Sequence, residues 1–98
     1  MSEARQVMIH GRVQGVGFRA FVEHEALKRG IGGWVRNRRD GSVEALFTGE
    51  PEAVAGMIDA CRKGPLGSRV DALHHREGTA EDLSLRRPGE LFSVLPTA

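Results

Sequence analysis

Asp40-Gly41 restricts what this chain can fold into more than any other pair of residues. It lies between two strand-like stretches, Gly33 to Arg38 and Ser42 to Thr48. An Asp-Gly pair between two such stretches is a strong short-range hairpin signal, so the chain is expected to reverse at once into an antiparallel hairpin. The returning strand sets Val43, Ala45 and Phe47 on one face. A chain that doubles back here is not beginning a parallel wound sheet, whose strands are joined by helical crossovers.

The remaining elements fall around this hairpin. Gln6 to Val13 alternates Val7, Ile9, Gly11 and Val13 with Met8, His10 and Arg12, the period of a strand with one buried face. His10 falls on the other face and reads as an ordinary half-exposed residue. Phe18 to Arg29 reads as a helix, with Phe18, Val22 and Ala26 stacked four residues apart. Leu27 points nearly the opposite way and is expected to close the helix end with Ile31, with Gly30 as the stop. Pro51 suits a first helical position and Glu52 the first turn of a second helix. That helix runs to about Lys63, where Gly64-Pro65 ends it. Cys61 shares its apolar face with Val54, Met57 and Ile58 and is expected in the core. Ser68 to His75 reads as a fourth strand and Leu91 to Leu95 as a short last one. Between them, Ala80 to Leu85 fits a helical turn or a loop equally well.

The order is β-α-β-β-α-β with a possible fifth strand. It implies an α+β, ferredoxin-like two-layer sandwich: two helices on one face of a mostly antiparallel sheet, with water on the other face. At 98 residues a single domain over 1–98 is expected. No apolar run has the length of a membrane span and Met1 to Arg5 does not resemble a signal peptide, so the expected location is cytoplasmic.

The connection between the first strand and the first helix carries the chemistry. Gly15 and Gly17 sit just before the helix start, where backbone N–H groups have no partner inside the helix. Glycine permits positive φ, so successive N–H groups can face one concavity at the positive end of the helix dipole. Arg19 lies in that first turn, an unfavourable place for a cation unless an anion binds beside it. A plain strand-to-helix turn with a solvated arginine is the alternative. Charge leans the same way as the anion reading. Residues 1–49 hold eight Lys and Arg against five Asp and Glu (+3), and residues 50–98 hold six against eight (−2). A net charge of only +1 disfavours nonspecific nucleic-acid binding and suits a small anion better.

Other motif readings are weaker. Gly15-Val-Gly17-Phe-Arg-Ala20 matches a dinucleotide fingerprint, but the hairpin at Asp40-Gly41 and the short chain exclude that fold, and no Gly-Lys-Ser/Thr follows. His10, His24, His74 and His75 lack metal-ligand spacing, and one cysteine allows neither a disulfide nor a thiolate cluster. Ser42, Ser68, Ser84 and Ser93 have no nucleophile-elbow context. Arg36, Arg38 and Arg39 with Trp34 and Phe47 would suggest an RNA-binding sheet, but Ser42 to Phe47 lacks the basic, paired-aromatic signature, and a solvated face is the better reading. Asn37 stands out on the strand before the hairpin. Its carboxamide both donates and accepts, so it can hold a water without acting as a base.

Two blocks, Gly11-Arg-Val-Gln-Gly-Val-Gly-Phe-Arg19 and Gly33-Trp-Val-Arg-Asn-Arg-Arg-Asp-Gly-Ser-Val-Glu44, together resemble the two signature segments of acylphosphatases. The resemblance implies a ferredoxin-like fold and metal-free, cofactor-free hydrolysis of a small acyl phosphate. It implies that Arg19 binds phosphate and Asn37 positions the attacking water. It also implies that Gln14, Gly15, Val16, Gly17 and Phe18 offer backbone N–H groups. A monomer with neither a nucleic-acid nor a membrane partner is expected. A second reading keeps the anion site without catalysis, as a phosphate- or carbamoyl-phosphate-binding module like those that begin large carbamoyltransferases. A chain stopping at Ala98 is expected to act without such a partner domain.

Overall fold

The computed structural model describes residues 2–98. In chain order the elements are β1 (Glu3–Arg12), α1 (Phe18–Lys28), β2 (Gly32–Asn37), β3 (Val43–Gly49), α2 (Pro51–Lys63), β4 (Arg69–Glu77), α3 (Ala80–Leu83) and β5 (Phe92–Val94). They form one five-stranded sheet in the order β4-β1-β3-β2-β5. The first four strands pair antiparallel and β5 joins β2 in parallel, the ferredoxin-like arrangement expected from the element order. No helix among the described residues is long and apolar enough to cross a membrane.

Strand parity sets the main core. Val7 pairs with Ala45, which pairs with Val35, so the three share a face. That face is buried against Phe18, Val22 and Ala26 of α1 and Val54, Met57, Ile58 and Cys61 of α2. Each large apolar side chain sealed there contributes about 1.5–3 kcal/mol. Burial pushes the Cys61 thiol up to about 12, so it stays a protonated apolar filler.

The end of α1 corrects one expectation. Ile31 N–H bonds Ala26 O at 2.8 Å and Gly30 N–H bonds Leu27 O at 3.2 Å, with Gly30 at φ 68°. This is the two-bond closure of a left-handed helix cap, whose apolar contact joins the residue beyond the glycine to the third-last helical one. Ala26 therefore meets the buried Ile31, and Leu27 stays 51% exposed, giving only its carbonyl.

The opposite face of the sheet is not simply wet, as the two-layer reading supposed. Trp34, Leu46 and Leu95 are buried there as a second cluster, with Leu83 packed against it. The Trp34 indole N–H donates to Asp82 O at 2.6 Å, and the Arg36 guanidinium lies 5.0 Å from the ring centre. Tryptophan at a strand position facing away from the helices needs a cover with an acceptor for its N–H, and α3 supplies both. This short helix resolves the ambiguous stretch before β5. Thr79 caps it, accepting from Asp82 N–H, while the Asp82 carboxylate accepts from Thr79 N–H.

The hydrogen bonds from Arg76 hold the Asp82 carboxyl below its ordinary value of 3.8, partial burial opposes this, and Thr79 adds to it. A carboxyl depressed in the folded state gives stability at neutral pH that is lost as pH falls through its folded value. We expect Asp82→Asn to lower the denaturant midpoint at pH 7, and the gap from wild type to close as pH drops below about 4.

Candidate active site

The turn between β1 and α1 is shaped by two left-handed glycines, Gly15 at φ 74° and Gly17 at φ 77°. Gly17 is also the N-cap residue of α1 and supplies no side-chain cap, and the first helical turn contains no acidic residue. The first helical bond runs from Phe21 N–H to Gly17 O, at 3.0 Å. Among the described residues, no backbone N–H of residues 14–17 donates to a protein acceptor. A Cβ at either glycine would meet nothing within 4 Å, so the backbone conformation rather than crowding demands glycine at both positions.

These features open on a cavity of about 480 Å³. Gln14, Gly15, Gly17, Phe18, Arg19 and Asn37 all line it. The one expected residue missing from its wall is Val16, whose partly buried side chain packs against the main core. Arg19 arrives from the first turn of α1. Asn37 arrives as the last residue of β2, two positions after Val35 and hence on the same, helix-covered face. Among the described residues neither the Arg19 guanidinium nor the Asn37 carboxamide has a protein hydrogen-bond or ion-pair partner, so the donors of both are uncommitted. The Asn37 backbone is pinned instead: Ala98 N–H donates to its carbonyl at 3.0 Å.

Three contributions went unread in the sequence. Val94 of β5 forms part of the wall, which nothing before the parallel pairing of β5 with β2 suggests. Glu23 also lines the cavity. It follows Arg19 by four residues, a spacing that places both on one helix face and was a usable signal. The Gln14 side chain turns towards the hairpin, its Nε2 donating to Arg38 O and Ser42 O at 2.7 and 2.8 Å.

Two of the three arginines of the candidate basic patch are engaged elsewhere. Arg36 and Arg38 reach Glu44 at 2.8 and 3.3 Å, and Glu44 also accepts from Gln6 at 2.8 Å. Trp34 and Phe47 are both fully buried, in different clusters on opposite faces, and so form no stacking platform. His10 is half-buried, edge-on to His74 at 5.7 Å.

A family model described as acylphosphatase matches residues 5–84. An acylphosphatase from Rhodopseudomonas palustris is 62% identical over 93 residues, which cover 95% of this chain and 94% of that one. The crystal structure of acylphosphatase from Bacillus subtilis superposes with a TM-score of 0.82 at 38% identity, covering 97% of this chain and 99% of that one. Full-length HypF in its phosphate- and nucleotide-bound form superposes at 0.83 with 28% identity, covering 99% of this chain but 12% of that one.

Replacing Gly17 by alanine forces the residue to hold a left-handed conformation at roughly 1–2 kcal/mol or to release it. Either way the loop amides turn. If the loop amides bind phosphate, Gly17→Ala should weaken inorganic phosphate binding about tenfold, the worth of one hydrogen bond to a charged group, as read by calorimetric titration.

Proposed function

The chain belongs to the acylphosphatase family, and its reaction is the hydrolysis of an acyl phosphate to a carboxylate and phosphate; we propose that Arg19 and the loop from Gln14 to Phe18 cradle the phosphate while Asn37 holds the attacking water. The observation that carries this reading is that an uncommitted guanidinium, a turn of unpaired amides and an uncommitted carboxamide line one cavity.

The chemistry suits so sparse a site. An acyl phosphate is a mixed anhydride, and its carboxylate leaves without being protonated, so no general acid is required. Water attacks phosphorus, the bond from phosphorus to the acyl oxygen breaks, and the water's proton passes to a phosphate oxygen. Charge in the transition state is spread over the equatorial oxygens. A guanidinium can grip two of them, and amides held by the loop backbone can meet them without reorganising as the reaction proceeds. The Asn37 carboxamide accepts from water through its oxygen and donates to a phosphate oxygen through its nitrogen, which aligns the attack. Val16 contributes through its backbone N–H alone.

The substrate in this reading is a small free molecule. One chain's residues suffice to wall the cavity, which supports action as a monomer, and we place that action in the cytoplasm. The likeness to 12% of HypF, a protein whose structure is phosphate- and nucleotide-bound, raises one competing reading, a domain that binds phosphate without turning it over. Hydrolysis of a simple aromatic acyl phosphate by the purified chain separates the two. We expect wild type to turn it over and Arg19→Gln to lose at least about a hundredfold in kcat/KM. Asn37→Ala should lose about a hundredfold in kcat with KM changed less than about threefold. Full activity in the Asn37→Ala enzyme would exclude the water-holding role.

A further inference from the structure

The side chain of Gln14 has no part in the mechanism above, yet it is one of the most committed groups beside the cavity. Its Nε2 spends both protons on the hairpin, donating to Arg38 O at 2.7 Å and Ser42 O at 2.8 Å. Those carbonyls also close the hairpin itself: Gly41 N–H donates to Arg38 O at 3.1 Å, and Arg38 N–H donates to Ser42 O at 2.8 Å. Ser42, 2% exposed, is fixed in turn by donating its N–H and its hydroxyl to Asp40 Oδ1 at 2.9 and 2.6 Å. With two carbonyl oxygens facing it, the carboxamide can present only its NH₂ end.

This link spans a gap in the sheet. The loop and Arg19 follow β1, Asn37 ends β2, and β3 lies between those strands. No ladder bond joins the two halves of the site directly. Gln14 reaches across the start of β3 and grips the carbonyl of Arg38, the residue after Asn37. We infer that Gln14 is a positioning residue that sets the spacing between the phosphate cradle and the water-holding carboxamide. This rests on the role given to Asn37. Without the clamp the cradle remains whole, because the loop amides and Arg19 belong to one continuous segment. What is lost is alignment, and a shift of about 1 Å is enough to cost a hundredfold in rate.

The test is steady-state hydrolysis of an aromatic acyl phosphate, with inorganic phosphate as competitive inhibitor, across Gln14→Ala, Gln14→Glu, Asn37→Ala and the Gln14→Ala/Asn37→Ala double variant. We expect Gln14→Ala to lose at least about tenfold in kcat, with KM and the phosphate inhibition constant held within about threefold. In the double variant kcat should fall little below that of Asn37→Ala, since both changes remove one function. Gln14→Glu keeps the shape but, ionised, has no proton for either carbonyl, so its kcat relative to wild type should rise as pH falls through the carboxyl range. That comparison is made within one folded protein, and it stands if the alanine variant is too unstable to assay. An unchanged kcat, a rise in KM and inhibition constant without loss of kcat, multiplicative losses in the double variant, or parallel pH profiles would overturn the inference. Asn37→Ala reports separately on the reading beneath it. If that variant is disabled while Gln14→Ala is not, only the clamp fails; if Asn37→Ala is fully active, the water-holding role fails and the clamp's purpose with it.

Discussion

The antiparallel register of β1, β3 and β2 is the constraint on which everything else depends. Val7 lies opposite Ala45 and Ala45 opposite Val35. Because side chains alternate along a strand, slipping β2 by one residue would exchange its two faces. Trp34 would then enter the main core, where Phe18, Val22 and Met57 already fill the space, and Asn37 would leave the face that carries the cavity. The alternation that buries Val35 is thus also what aims Asn37. Packing energy holds the register, and the site inherits its geometry from that packing.

The two faces of β2 divide the labour. Towards the helices lie Val35 and Asn37, the core and the cavity wall. Away from them lie Trp34 and Arg36, stacked together and tied to Asp82 and Glu44. The second cluster holds β2 from behind, through Leu95, Leu46 and the capped helix α3. A strand that presents a cavity-lining side chain on one face is steadier when the other face is also packed, since side chains that support a site keep its geometry.

Much of this was legible in the residues and some was not, for physical reasons. Asp40-Gly41 and Pro51 act locally, so the hairpin and the second helix fell where the turn chemistry put them. Gly15, Gly17 and Arg19 were legible because a left-handed turn and a misplaced cation are both local anomalies. The cover over Trp34 was not, because α3 is too short for periodicity to mark it. Its signal was the reciprocal pairing of Thr79 and Asp82 at the spacing of a capping box, together with an unsatisfied indole. The reach of Gln14 was invisible, since nothing in the chain announces a hydrogen bond between residues so distant in sequence. Leu27 misled because apolarity suggested burial, whereas the helix cap needed only its carbonyl.

The cavity wall draws on residues between Val13 and Glu23, on Asn37 and on Val94, and so on nearly the whole length of the chain. No short fragment contains it, and its wall is complete only when β5 lies beside β2. An anion that occupies it therefore binds the native state and not the unfolded one. By mass action, phosphate at a hundred times its dissociation constant adds about 2.7 kcal/mol to folding stability. If the cavity holds phosphate as proposed, the product of turnover would also favour the folded chain, and heat resistance would rise with the phosphate concentration around it.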